Sequence, residues 1–120
     1  MREQGTDIPR AWLADRWWPR FRGLLGRPPL ARDGSQALVL TPCASVHTVG
    51  MRYPLDLVFL DRHQCVLAWR EYVTPWRARA CKGAVATIEL HGGALRDLAP
   101  ELHERWVWQP DVVTTEGGIA

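Results

Sequence analysis

The sequence contains no apolar run that approaches the roughly 18 residues needed to span a bilayer. Its first residues, MREQGTDIPRAW, also lack the apolar segment of a secretory signal. These two absences predict a cytoplasmic protein without a membrane span. The formal net charge of +2 is too small to indicate nucleic acid, which we therefore do not expect as a partner.

Cysteine is scarce, and its three positions show no CxxC spacing. An odd number of cysteines in a reducing compartment predicts free, mostly buried thiols. A disulfide between Cys43 and Cys81 stays open, since it requires the two backbones to lie within about 7 Å of each other. The GxSxG and HExxH motifs of hydrolases and metalloproteases are also absent, so no local signature indicates catalysis.

The length of 120 residues suits one domain with its own hydrophobic core. We divide the chain into an N-terminal extension, residues 1–18, and a single β-rich domain, residues 19–120. A proline inside a helix costs about 3 kcal/mol, so Pro19 favours the start of a short helix. Gly26 and the Pro28-Pro29 pair would end that helix.

Short apolar segments separated by turn residues fill most of the remaining chain. The clearest strand pair is 55–61 with 65–69, because the connection between them is short and polar. Further strands are predicted at residues 37–41, 71–74, 84–90, 106–108 and 112–115, with a helical turn at 94–98. This pattern predicts a mainly β fold, a small antiparallel sandwich or barrel-like single domain with one or two short helices.

The segment HTVGMRYPLDLVFLD, residues 47–61, joins a polar, irregular loop to a bulky apolar run. Three shorter segments accompany it in the chain: RGLLGR at 22–27, TPWRA at 74–78 and AVATIELHGG at 84–93. Together they resemble the family called domain of unknown function 192. The resemblance implies a small, mostly β domain and an exported location for many relatives. It implies no particular activity, because the family has no settled one.

Two carboxylates interrupt the apolar segments, Asp56 in the first and Glu89 in the last. Carboxylates in such runs are seldom buried without a partner, so each either pairs with an arginine or faces solvent. The candidate partners are Arg52, Arg77 and Arg79.

Trp76 stands between Pro75 and Arg77, and a rigid turn beside a cation suits an exposed recognition surface. We therefore predict a non-enzymatic binding or accessory domain with a groove near residues 47–61. Its partner is an unknown small ligand or protein, its oligomeric state stays open, and no cofactor is predicted. The candidate binding residues are His47, Met51, Arg52, Asp56, Trp76 and Glu89.

The same region supports a competing interpretation as a soft-metal protein or a small hydrolase-like enzyme. Cys43, His47 and Met51 are spaced four apart and offer donors that suit Cu(I). His91 is a further candidate, so the metal set would be Cys43, His47 and His91. In the enzyme, Cys43 would be the nucleophile and His47 the base, with Asp56 or Glu89 as the orienting carboxylate.

Overall fold

Eight strands and one short helix make up the described part of the chain. The computed structural model describes residues 4–14, 30–42, 44–48 and 51–110. The helix, α1, spans Ala94–Leu98, and no helix in these ranges is long and apolar enough to cross a membrane. The strands are β1 Gln4–Ala14, β2 Gln36–Leu40, β3 Ser45–His47, β4 Leu55–Leu60, β5 Val66–Val73, β6 Ala78–Ala80, β7 Ala86–His91 and β8 Arg105–Pro110.

Six of the strands form one mixed sheet in the order β5-β4-β7-β2-β1-β8. β4 pairs antiparallel with β5 and β7, and β7 pairs antiparallel with β2. β1 runs parallel to both of its neighbours, β2 and β8. The predicted mainly β fold is confirmed, and β1 is the reason that the sheet is mixed rather than wholly antiparallel.

The two edge strands of this sheet meet at one point. Cys65, directly before β5, forms an antiparallel bridge with Arg105, the first residue of β8. Beside the bridge, the backbone N–H of Val66 donates to the carbonyl oxygen of Glu104 over 2.9 Å. These contacts close the sheet into a small barrel.

β4 and β7 lie in the middle of the sheet, and every side chain of both strands is buried. Because alternate residues of a strand point to opposite faces, the apolar side chains form two clusters. Val58, Leu60, Ile88 and Trp106 belong to the inner cluster, which fills the barrel. The outer cluster lies on the other face and includes Leu38, Leu40, Leu57 and Phe59. Burial on both faces explains the nearly continuous apolar run in β4.

β3 and β6 form a separate antiparallel pair in which Val46 lies opposite Arg79. Val46 packs into the outer cluster, so this ribbon covers part of that face. Each strand has three residues, which is too short for alternation to be visible in the sequence. Neither strand was therefore predicted.

β1 was not predicted either, although it contributes 11 residues to the sheet. Ile8 and Ala11 are buried in the inner cluster. The strand contains Pro9, and proline inside a run argues against a central strand, which is why the pattern gave no strand here. The boundary predicted between residues 18 and 19, the short helix near Pro19 and the strand at 112–115 lie outside the described residues.

Candidate functional site

Asp56 is a fully buried acid on β4 that connects three separate parts of the backbone. One carboxylate oxygen accepts the N–H of Tyr72 over 2.6 Å, and the other accepts the N–H groups of Gly93 and Leu95 over 3.1 and 2.8 Å. The sequence predicted that Asp56 either pairs with an arginine or faces solvent. Backbone amides satisfy this carboxylate instead, and such hydrogen bonds replace the hydration that burial removes.

The contact with Asp56 fixes an irregular point in β5. The register between β4 and β5 shifts there, so that Glu71 and Tyr72 both lie opposite Asp56. Two residues facing one are a β-bulge, which bends a strand and redirects its side chains. Tyr72 has a φ of 54° and its side chain is 61% exposed. The bulge therefore directs an aromatic side chain into solvent.

Thr48 connects the loop after β3 to the TPWR turn between β5 and β6. Its hydroxyl donates to the carbonyl oxygen of Thr74 over 2.8 Å and accepts the N–H of Arg77 over 2.9 Å. Its N–H donates to the carbonyl oxygen of Arg77, and its own carbonyl oxygen accepts the N–H groups of Met51 and Trp76. This fully buried threonine thus determines the shape of the turn.

Trp76 is held by this turn with its side chain 69% exposed. Its φ is 67°, and a bulky residue adopts such a value only where the surrounding structure imposes it. Arg52 and Arg77 are also exposed. Arg77 follows Trp76 in the chain, and Arg52 follows Met51, whose N–H also donates to the Thr48 carbonyl oxygen. The aromatic–arginine surface is defined here as Arg52, Tyr72, Trp76 and Arg77.

Glu89 lies on the other face of the sheet, opposite Leu57 of the outer cluster. Its side chain is 5% exposed, and no described residue donates a hydrogen bond to it. Burial raises the pKa of Glu89 from 4.5 to about 8, so the carboxyl group is largely protonated at neutral pH. Nearby, the ring of Tyr53 stacks on His91 with 4.7 Å between centroids. Burial also raises the pKa of Tyr53, and the charge of Glu89 adds to the increase.

The metal and enzyme interpretations involve residues that are only partly described. Cys43 and the side chain of His47 lie outside the described residues. The Nδ1 of His91 lies 3.0 Å from the carbonyl oxygen of Gly92. Within the described ranges, no three His, Cys, Asp or Glu side chains form a group that could hold a metal ion. Cys81 carries a free thiol.

The structure brings together some of the candidate binding residues and separates others. Met51 and Trp76 both donate their N–H groups to the Thr48 carbonyl oxygen, Arg52 follows Met51 in the chain, and Met51 is half-buried against the outer cluster. Asp56 and Glu89 lie on opposite faces of the sheet, because Asp56 is opposite Leu90 of the inner cluster. Thr48 and Tyr72 were not among the binding residues predicted from the sequence. Thr48 lies within the HTVGM segment, so it could have been predicted as a site residue from the sequence. Nothing in the local sequence indicates the bulge at Tyr72.

These features define a small, mainly β, single-domain protein. The sequence matches the domain of unknown function 192 family, described as uncharacterized ACR, over residues 1–103. The chain therefore belongs to this family, as the four sequence segments indicated. No curated protein matches the sequence.

Similar solved structures come from two bacteria. One is a protein of unknown function from Novosphingobium aromaticivorans, with a TM-score of 0.69, 20% identity, and coverage of 79% of this chain and 71% of that one. Another is a candidate transcription regulator from Sinorhizobium meliloti, with a TM-score of 0.70, 18% identity, and coverage of 79% and 78%. Likeness at this level of identity establishes the fold alone.

Proposed function

We propose that the protein is a non-enzymatic binding domain that recognises an acidic, aromatic-containing segment of a partner protein through the aromatic–arginine surface. One observation carries the proposal. Two buried polar side chains, Asp56 and Thr48, hold the backbones from which two exposed aromatic side chains, Tyr72 and Trp76, project. Both polar side chains are buried and hydrogen-bonded to backbone groups, so they hold the backbone at Tyr72 and Trp76 in a defined position.

A fixed backbone is useful for binding because it reduces the entropy lost when a partner is held. Ordering a side chain or loop at an interface costs about 0.5–1.5 kcal/mol for each flexible side chain. At Tyr72 and Trp76 the backbone is already ordered before any partner arrives. Tyrosine and tryptophan are also the residues that most often dominate binding energy at interfaces.

Positive charge accompanies the two aromatic residues. Arg52, Arg70, Arg77 and Arg79 are all exposed, and none has an ion-pair partner among the described residues. Between residues 70 and 79 the only acid is Glu71. Arginine binds carboxylates through paired, charge-assisted hydrogen bonds. The surface is therefore complementary to a segment that carries carboxylates beside aromatic or apolar side chains.

Fluorescence anisotropy tests the proposal with a labelled copolymer of glutamate and tyrosine, and with polyglutamate as a probe of charge alone. We expect the copolymer to bind more tightly than polyglutamate. Trp76→Ala and Tyr72→Ala should each weaken copolymer binding by roughly tenfold. The matched control is Leu102→Ala, because Leu102 is an apolar side chain that is 50% exposed elsewhere on the molecule.

A second pair of variants separates charge from apolar contact. Arg77→Ala should weaken binding of both probes, whereas Arg105→Ala, at an exposed position of β8, should weaken neither. Equal copolymer affinity in Trp76→Ala, Tyr72→Ala and Leu102→Ala would contradict the proposal. It would also be overturned if a single-stranded oligonucleotide bound more tightly than the copolymer, since the partner would then be nucleic acid.

A further inference from the structure

The two ends of the barrel differ. At one end, α1 covers the inner cluster, where Ala94 and Leu95 are buried. At the other end, where residues 61–64 connect β4 to β5, a cavity of about 530 Å³ opens to solvent. Its lining includes Thr41, Arg62, Gln64, Ala86 and Trp108. Cavities of roughly 300–1,000 Å³ are usual for small-molecule sites, and the mouths of β-barrels are among their frequent locations.

The cavity opens where the inner cluster reaches this end of the barrel, and Ala86 belongs to both. Val39, Ile88 and Trp106 belong to that cluster, and the residue two positions away on each strand, toward this end of the barrel, shares the same face. Those residues are Thr41, Ala86 and Trp108. Two of these side chains, those of Thr41 and Ala86, are small, so they leave space where a further layer of bulky residues would have filled the barrel.

The turn at residues 61–64 forms part of the rim of the cavity. Hydrogen bonds inside this turn and from the turn to β8 hold it in place. Asp61 Oδ1 accepts the backbone N–H of His63 over 2.8 Å and that of Cys65 over 3.0 Å. The side-chain Nε2 of Gln64 donates to the carbonyl oxygen of Trp106 over 3.1 Å. The Gln64 amide is therefore fixed in place at the rim before any ligand arrives.

We propose that this cavity binds a small organic acid with a planar apolar body. Trp108 is half-buried against the inner cluster and offers a flat aromatic surface to that body. Arg62 is the only charged residue in the described lining, so the opposite charge of a carboxylate fits the site. The Thr41 hydroxyl and the Gln64 amide add polar groups that orient the ligand.

This site is separate from the aromatic–arginine surface. Tyr72 bonds to Asp56, which also binds the first N–H groups of α1. The aromatic–arginine surface therefore lies toward the α1 end, whereas the cavity lies at the opposite end of the barrel. Ligand binding in the cavity and partner binding at the aromatic–arginine surface can therefore be tested independently.

Nuclear magnetic resonance titration of isotope-labelled protein tests the proposal, with naphthoate as the acid and naphthamide as its neutral analogue. We expect the amide signal of Gln64 and the indole signal of Trp108 to shift on addition of naphthoate. Naphthoate should bind roughly tenfold more tightly than naphthamide, because only the acid forms a charge-assisted pair with Arg62.

Four variants complete the experiment. Arg62→Ala should remove the preference for naphthoate, and Arg96→Ala should retain it. Trp108→Phe keeps an aromatic ring against the core and should weaken both probes. Trp76→Ala should change neither affinity, which distinguishes this site from the aromatic–arginine surface. Equal affinity for the two probes in the unmodified protein, or shifts centred on Trp76 rather than Trp108, would overturn the proposal.

Discussion

The carboxylate of Asp56 accepts the backbone N–H of Tyr72 over 2.6 Å, so a fully buried acid sets the position of an exposed aromatic residue. The second oxygen of the same carboxylate binds the N–H groups of Gly93 and Leu95. One side chain thus links the β5 bulge to the start of α1. Asp56 therefore connects the buried part of the barrel to the backbone that carries Tyr72 in the aromatic–arginine surface.

Asp56→Asn should destabilise the protein by roughly 3 kcal/mol, because hydrogen bonds to charged groups are worth about 1.5–3 kcal/mol each. Asparagine has one acceptor oxygen and would place its NH2 group against an N–H donor. Urea denaturation measures the loss, and hydrogen exchange should show faster exchange at Tyr72, Gly93 and Leu95. The control is Asp97→Asn on the exposed side of α1. An unchanged midpoint for Asp56→Asn would show that its three hydrogen bonds do not stabilise the fold.

Thr48→Val should loosen the TPWR turn, because valine keeps the shape of threonine but lacks the hydroxyl that binds Thr74 and Arg77. We expect a loss of about 1–3 kcal/mol, the cost of leaving buried polar groups unsatisfied. Thr48→Ser retains the hydroxyl and should lose much less. If the serine and valine variants lost equal stability, packing of the methyl group rather than hydrogen bonding would explain the role of Thr48.

Glu89 should make stability fall as the pH rises. Its pKa is about 8 in the folded protein against an ordinary value of 4.5. Between these values the unfolded chain releases the proton and the folded protein keeps it. The unfolding free energy therefore decreases with pH, by about 1.4 kcal/mol per pH unit at most.

Glu89→Gln removes this titration and should make the protein more stable than the unmodified form at the upper end of the range. Urea denaturation at a series of pH values from about 5 to about 9 would show a flatter curve for the variant. Glu71→Gln is the control, since Glu71 is exposed. Parallel pH curves for the unmodified protein and Glu89→Gln would contradict a raised pKa at this position.

Gly5→Ala should destabilise the barrel by roughly 2 kcal/mol, the usual scale for overpacking a filled interior. A Cβ at Gly5 would overlap the carboxyl group of Glu104, which is fully buried and has little room to move. Pro9→Ala, at an exposed position of the same strand, is the control. Thermal melting measures both variants, and a Gly5→Ala melting temperature equal to that of Pro9→Ala would show that β1 is not firmly packed.

Local sequence was sufficient for the strands that lie in the middle of the sheet. The run LDLVFL predicted β4 because a strand buried on both faces has few positions for polar residues. The helical turn at 94–98 was also predicted, since Gly92-Gly93 before it is a turn signal and the structure places α1 there. β1 was missed because Pro9 argues against a central strand, although the strand pairs with two neighbours in the structure.

The candidate site was predictable only in part. Trp76 was chosen as a surface residue from its Pro-Trp-Arg setting, and it is exposed. The partners of Asp56 were not predicted, since the Tyr72 and Leu95 amides are 16 and 39 residues away. A backbone N–H is the same at nearly every position, so no residue type records which one a distant carboxylate will bind.

The sequence by itself determined the mainly β class, the central strands and the family, because each depends on a local pattern of apolar, polar and turn residues. The tertiary structure alone decided which residues meet: the closure between Cys65 and Arg105, the hold of Thr48 on the TPWR turn, and the separation of Asp56 from Glu89 on opposite faces. These relationships join residues distant in the chain. They arise only when the sheet closes and its register is set, since a register fixes the face to which every side chain points.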